Sequence, residues 1–506
     1  MNTDQAIALS GQFPIDSPSR AFEMGLSLLR EDFAEIVLPL AEAAAGKHPQ
    51  DYRMHQLLGL AARSAGDSGR SYAAFAKAAQ LAPHDPLIAH SLARSALDAG
   101  KPSVSLFDHA ISLAPADGSA IQGRAAALFS EGQADAAQQY LADILEKNPL
   151  WAEGHRALAH IRGQSGLDPL ASIDQAIRQV PAHEALHQLR VRTLLEARDL
   201  GGADAAIKLA CDDIGQKTWL LNIAAHVASE SGDLARADAL FAALPAATTV
   251  ADASLAARHM IRAGKAEEAS KFLDPWIQRD TGNLLWPYLS LVWRLTDDPR
   301  YEWLEGSPTL IGIYDLSDHI SAWNELAEQL RALHIASAAP LDQSVRGGTQ
   351  TDGNLLLRQD GLIPLLREKI VDIVSLHVAQ LPPPQAGHPT LLARRTPQRI
   401  AGSWSVRLSQ SGFHSDHVHT AGWISSALYI SLPEDVENPV RPDDRDGWLS
   451  LGQCRDLVPG LEPVKLIQPA AGKLVLFPST MWHGTRPFSS GERLTVAFDI
   501  APPKQS

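Results

Sequence analysis

The sequence predicts two kinds of structure in one multidomain chain: an all-α superhelix of helical hairpins, then an α+β domain with a core of antiparallel strands. Three observations predict it. Prolines recur at a fixed period through roughly the first 285 residues, that period is lost near Trp286, and the last hundred residues break into short β-branched and aromatic runs. With 506 residues, 45% apolar and 20% charged, the chain has the length for several cores and an ordinary globular composition.

Residues 1–50 read as an N-terminal helical segment and 51–285 as the repeats. Pro83, Pro115, Pro149 and Pro181 close successive segments at spacings of 32, 34 and 32 residues. A glycine precedes each by fifteen to seventeen residues, at Gly66, Gly100, Gly132 and Gly166. The turn of a helical hairpin needs such a residue, tolerant of positive φ. Between His55 and Pro83, Leu58 and Gly59 precede the turn and Phe75 and Ala78 follow it, so a large side chain can meet a small one where two helices cross. This resembles the tetratricopeptide repeat, in about seven degenerate units. The resemblance implies a concave surface for a protein or peptide partner, or a solenoid that only supports the C-terminal part of the chain.

Residues 286–399 read as a helical connector and the start of the second domain, with helical patterns at 323–334 and 362–381. Between them, DQSVRGGTQTDG at 342–353 reads as a loop, with Arg346 a candidate substrate contact. In 400–506, SWSVRLS, WISSALYISLP, WLSLG, KLVLFP and RLTVAFDI read as strands, and no helical pattern separates them. An antiparallel sandwich or barrel is the expectation.

Charge and cysteines exclude several classes. Lys plus Arg is 44 and Asp plus Glu is 58, a net −14, which argues against nucleic acid or anionic lipid as partner. Cys211 and Cys454 form no metal-type spacing. No apolar run approaches the ~18 residues that span a bilayer, and no leader-like segment opens the sequence, so the expected location is the cytoplasm, away from membranes.

The chemistry lies in four histidines of the strand region: His414, His417, His419 and, 64 residues after the third, His483. In an extended segment His417 and His419 face the same side. A barrel that brings strand ends together can set three imidazoles around one metal with positions left open. Ten residues past His483, Arg493 and Thr495 share a face of the last strand, a clamp for a carboxylate.

This set resembles the iron(II)- and 2-oxoglutarate-dependent oxygenases. More narrowly, SWSVRLSQSGFHSDHVHTAGWISSALYISLP and GKLVLFPSTMWHGTRPFSSGERLTVAFDI are similar to the 2OG-Fe(II) oxygenase family found behind tetratricopeptide repeats in bacteria. The resemblance implies a double-stranded β-helix (jelly-roll) core, Fe(II), 2-oxoglutarate and O2, and a hydroxylase acting on a recruited protein or peptide. It implies Arg493 and Thr495 as the 2-oxoglutarate clamp.

Two ligand sets stay open. His414-Ser415-Asp416 is a literal His-x-Asp that would act with His483. His417-Val418-His419 looks like the His-x-His of the narrower family and favours His417, His419 and His483, with Asp416 or His414 beside them. Alternation makes the two registers exclusive. Trp482, adjoining His483, is a further candidate substrate contact. The rival readings are a binding scaffold with a non-catalytic barrel and a cupin-type metal dioxygenase that uses no 2-oxoglutarate.

Overall fold

The computed structural model describes residues 3–438, 441 and 444–505. Helices fill the first part in antiparallel pairs, eight hairpins among the described residues from Pro18–Arg30 with Ala34–Lys47 to Val250–Arg262 with Ala266–Leu273. The hairpin at 18–47, which the sequence sets apart as an N-terminal segment, has the same form and stacks on the helix Tyr52–Ser64. Gly66, Gly100, Gly132 and Gly166 all take positive φ, between 71° and 79°, at the turns where the proline period places them. Gly59 lies so close to Phe75 that a Cβ would sit 2.7 Å from the ring, the close crossing that the small-large pattern implies.

An aromatic knot comes next along the chain. Trp276, Trp286 and Trp293 pack with Cys454, Leu457 and Trp482 in one buried cluster, so the end of the helical array and the strand region share a core. The array also touches the strand domain at the turns near Gly66 and Gly100 and at the end of the helix Ala152–Gln164. No helix among the described residues is long and apolar enough to cross a membrane.

Among the described residues, nine strands form two antiparallel sheets. They are β1 (Gly312–Asp315), β2 (Val345–Gln350), β3 (Arg399–His414), β4 (Ile424–Ser431), β5 (Leu449–Leu451), β6 (Lys465–Ile467), β7 (Lys473–Pro478), β8 (His483–Thr485) and β9 (Arg493–Ala501). The six-stranded sheet runs β1-β7-β4-β9-β3-β2 and the three-stranded one β6-β5-β8. Tyr429, Val475 and Phe477 of the large sheet pack with Leu449, Leu451 and Ile467 of the small one, the sandwich that the strand pattern predicts. The opposite face of the large sheet, with Leu494, Val496, Phe498 and Ile500, buries the helices Trp323–Ala332 and Ile363–Gln380.

One expectation is corrected. The stretch read as a loop at 342–353 contains β2, an edge strand paired with β3 from Val345↔His414 to Gln350↔Val406. Gly348, read as turn chemistry, serves close approach, since a Cβ there would stand 2.4 Å from the Arg407 carbonyl oxygen, while Gly347 and Gly353 both take φ 71°. Pairing with β3 overrides the local preference.

Candidate metal centre

Backbone pairing brings the histidines together. Past the end of β3, the His417 N–H donates to the His483 carbonyl at 2.9 Å and the His483 N–H to that of His417 at 3.0 Å. Two residues on, the His419 N–H donates to the Ser479 carbonyl at 2.9 Å. Alternation then sends Val418 into the aromatic cluster and both flanking imidazoles inward. One nitrogen from each of His417, His419 and His483 lies within 4.8 Å of the other two, a group that could hold a metal ion.

Each ring is oriented from behind by its Nδ1. His417 meets the Ser415 carbonyl at 2.8 Å, His483 the Met481 carbonyl at 2.9 Å, and His419 the Asp499 carboxylate at 2.6 Å. These acceptors favour the proton on Nδ1 and turn the Nε2 lone pairs toward a shared cation, with Ser344 Oγ 3.2 Å from His417 Nε2. Burial, with the neighbouring imidazoles, holds His417 and His483 well below the ordinary imidazole range, so both are neutral, the form a metal requires. Trp404 stacks on His419 at 5.6 Å and Phe477 lies 4.7 Å from His483.

The alternative ligands stand elsewhere. Asp416 is turned to the opposite side, where Arg455 grips its carboxylate through Nε at 2.8 Å and Nη2 at 2.7 Å. His414 lines the cavity beside the triad, bonded to Ser344 Oγ at 3.0 Å, and burial pushes it down to about 3.

At the other wall of the same cavity β9 presents Arg493, Thr495 and Asp499, while Leu494, Val496 and Phe498 face the helices. Arg493 is 2% exposed, lies 5.0 Å over the Tyr429 ring, and donates through Nη1 to the Gly447 carbonyl at 2.7 Å. Its Nε and the Tyr429 hydroxyl are buried without a hydrogen-bond partner, and no carboxylate pairs with this guanidinium among the described residues. A buried cation with a spare donor fits an anionic group, and a carboxylate matches the fork.

Arg346 donates to the carbonyls of Gln343 and Val345 at 2.8 and 2.7 Å, bracing its own strand, and its neighbours Gln343 and Ser344 line the cavity instead. Trp482 points away from the site; its Nε1 donates to the Pro287 carbonyl at 2.9 Å within the aromatic knot. The sequence reading does not single out Asp499, which the structure makes the partner of His419. The odd-numbered alternation from Arg493 to Asp499 was the available signal.

The fold and site define a class: a helical repeat superhelix joined to an antiparallel sheet domain that carries three clustered imidazoles. Residues 402–499 match the family model described as Putative 2OG-Fe(II) oxygenase. Among solved structures, a prolyl-4-hydroxylase from Pseudomonas putida is similar at 16% identity, with 42% of this chain and 98% of that one covered and a TM-score of 0.26. A tetratricopeptide repeat protein from Parabacteroides merdae is similar at 17% identity, covering 45% and 91%, with a TM-score of 0.30. YrrB, a tetratricopeptide repeat protein with an unusual peptide-binding site, is similar at 16% identity over 36% and 95%, with a TM-score of 0.29. No curated protein matches.

Proposed function

We propose that the chain is an Fe(II)- and 2-oxoglutarate-dependent hydroxylase that acts on a protein or peptide brought in by its repeats. The observation that carries this reading is one cavity holding three imidazoles at one wall and a buried, under-bonded Arg493 at the other. His417, His419 and His483 would hold the metal, and Arg493 with Thr495 the far carboxylate of 2-oxoglutarate. Residues 286–399 and 400–506 form one catalytic unit in this reading, because β1 and β2 lie in the same sheet as β3.

When bound, iron and 2-oxoglutarate supply the oxidation: O2 is consumed, 2-oxoglutarate leaves as succinate and CO2, and a substrate C–H becomes C–OH. The chain's residues supply orientation. The Nδ1 contacts fix the three rings, with Asp499 itself held by Ser425 Oγ at 2.6 Å. Arg493 sets the direction of the cosubstrate, and Trp404 and Phe477 pack against the rings of His419 and His483.

The test is anaerobic: Fe(II) and then 2-oxoglutarate are added to metal-free protein and the weak visible charge-transfer band is followed. The band is expected in the wild type. Arg493→Ala should weaken 2-oxoglutarate binding about a hundredfold, in line with ~3 kcal/mol for a charge-assisted pair, while leaving metal affinity unchanged. Metal binding without a band in the wild type would point to a cupin-type site, and no metal binding to a scaffold.

A further inference from the structure

His414 and Ser344 line the metal cavity but serve as neither ligand nor clamp. Backbone contacts hold both in place. His414 closes β3, where its N–H donates to Thr485 Oγ1 at 2.8 Å, and Thr485 shares β8 with His483. Ser344 directly precedes β2, and its carbonyl accepts from the Ser415 N–H at 3.1 Å. The two residues are therefore tied to the segments that carry His417 and His483.

Their side chains meet at one oxygen. Ser344 Oγ lies 3.0 Å from His414 Nδ1 and 3.2 Å from His417 Nε2. A hydroxyl has one proton to give and lone pairs that receive. His417 keeps its own proton on Nδ1, against the Ser415 carbonyl at 2.8 Å, so its Nε2 is an acceptor. Two lone pairs facing each other at that distance repel, which places the hydroxyl proton between Ser344 Oγ and His417 Nε2. Ser344 Oγ then accepts from His414 Nδ1. The three groups form a directed chain, from the His414 N–H through the Ser344 O–H to the nitrogen assigned to the metal.

Ser344 also stands at a boundary. With His417, His419 and Asp499 it borders both the metal cavity and an open cleft outside it, whereas His414 and Arg493 border only the first of these two spaces. A cation that takes His417 Nε2 removes the acceptor and frees the hydroxyl proton for an oxygen bound to the same cation. We propose that Ser344 donates a hydrogen bond to a carboxylate oxygen bound at the metal, with His414 as the positioning residue that holds the hydroxyl in this direction, an inference that rests on the metal centre of the hydroxylase reading. The pair then serves the metal-binding end of the cosubstrate as Arg493 and Thr495 serve its far end. A hydrogen bond to a charged oxygen is stronger than one between neutral groups, and a donor that itself accepts a hydrogen bond is further polarised. A chelating carboxylate presents such an oxygen.

The test uses the full-length protein loaded with Co(II), whose visible absorption reports the groups bound to it, and oxalate as the probe. Oxalate chelates a metal through its two carboxylates and has no further carboxylate for Arg493. Competition with a chelator gives the Co(II) affinity, the absorption change gives the oxalate affinity, and circular dichroism checks the fold. Ser344→Ala should weaken oxalate about tenfold, ~1.4 kcal/mol, with Co(II) affinity unchanged. Ser344→Thr keeps the hydroxyl and should bind oxalate as the wild type does. His414→Leu should weaken oxalate about threefold, in the range of one neutral hydrogen bond. His414→Asn places an amide N–H near the position of Nδ1 and should restore most of that loss, and Arg493→Ala should leave oxalate binding as it is. If Ser344→Ala does not fold, the two His414 variants decide. The proposal is overturned if Ser344→Ala binds oxalate as tightly as the wild type, if it loses Co(II) as fully as His483→Ala, or if His414→Asn falls as far as His414→Leu. A wild type that takes up no Co(II) overturns it together with the metal centre. A wild type that shows the expected oxalate effects yet gives no 2-oxoglutarate band with Fe(II) would instead sink the hydroxylase reading alone.

Discussion

In the repeat array, His155 bonds the Pro149 carbonyl 6 residues back, and Ser71 the Gly59 carbonyl 12 residues back. In the sheet domain, His419 reaches Asp499 across 80 residues, and Trp423 the Thr390 carbonyl across 33. The array is a sum of neighbour contacts and tolerates degenerate repeats. The sheet domain works only when distant segments arrive in register, and there Arg493, whose buried Nε has no partner, faces the candidate site. Local closure gives a scaffold, and long-range closure gathers the groups of one site.

The largest expected break in this comparison is His483→Ala. Loss of one of three imidazoles should lower Fe(II) affinity by well over ~100-fold, beyond the 10–100-fold typical of removing an orienting partner. The array's thermal unfolding should hardly move. Competition with a chelator measures the first and circular dichroism the second; a metal affinity unchanged by His483→Ala would rule out the proposed centre. Asp499→Asn comes next, since it keeps the size of the side chain but removes the charge that orients His419. A 10–100-fold weaker metal is expected, and an effect no larger than that of a surface Asp→Asn would mean that His419 is held without it.

How much of this was legible tracks the same divide. The proline period and the turn glycines announced the hairpins, because each is a local requirement of φ and of close crossing. The strands with strong alternation, β3, β4, β7 and β9, were readable for the same reason. β1, β2, β6 and β8 were not: they are short or glycine-rich, and they exist through partners distant in the chain, as Gly312↔Leu476 in β1. At the site, parity alone put His417 with His419 and Arg493 with Thr495. That Asp416 is occupied by Arg455, 39 residues on, and that Trp482 serves the aromatic knot are facts of tertiary pairing with no local trace.

A third prediction breaks the array and spares the sheet. In Gly59→Ala the new methyl would press on the Phe75 ring, and overpacking of this kind costs about 1–3 kcal/mol. The thermal midpoint should fall while 2-oxoglutarate affinity holds. A parallel fall in affinity would show that the two regions unfold as one unit.

The smallest effect concerns two buried glutamates with opposite surroundings. Glu230, in the array, is bonded by Arg258 and Arg262 and lies at about 2, although burial pulls it upward. Glu305, in the aromatic connector, is buried with Ser290 Oγ donating to it at 2.7 Å and is pushed up to about 7 by desolvation. The signs differ accordingly. Glu230 contributes stability that is present above ~4.5 and lost as pH falls toward 2. Glu305 is favoured in the fold while protonated, so its contribution is present below ~4.5 and lost as pH rises toward 7. Glu305→Gln keeps a hydrogen-bonding group of the same shape without the buried charge. It should leave stability unchanged near pH 4.5 and raise it by at most roughly 3 kcal/mol at pH 8. Denaturant unfolding at the two pH values reads the difference. If the variant is no more stable than the wild type at pH 8, then Glu305 ionises there at no cost and the connector admits water, which a closely packed aromatic knot does not.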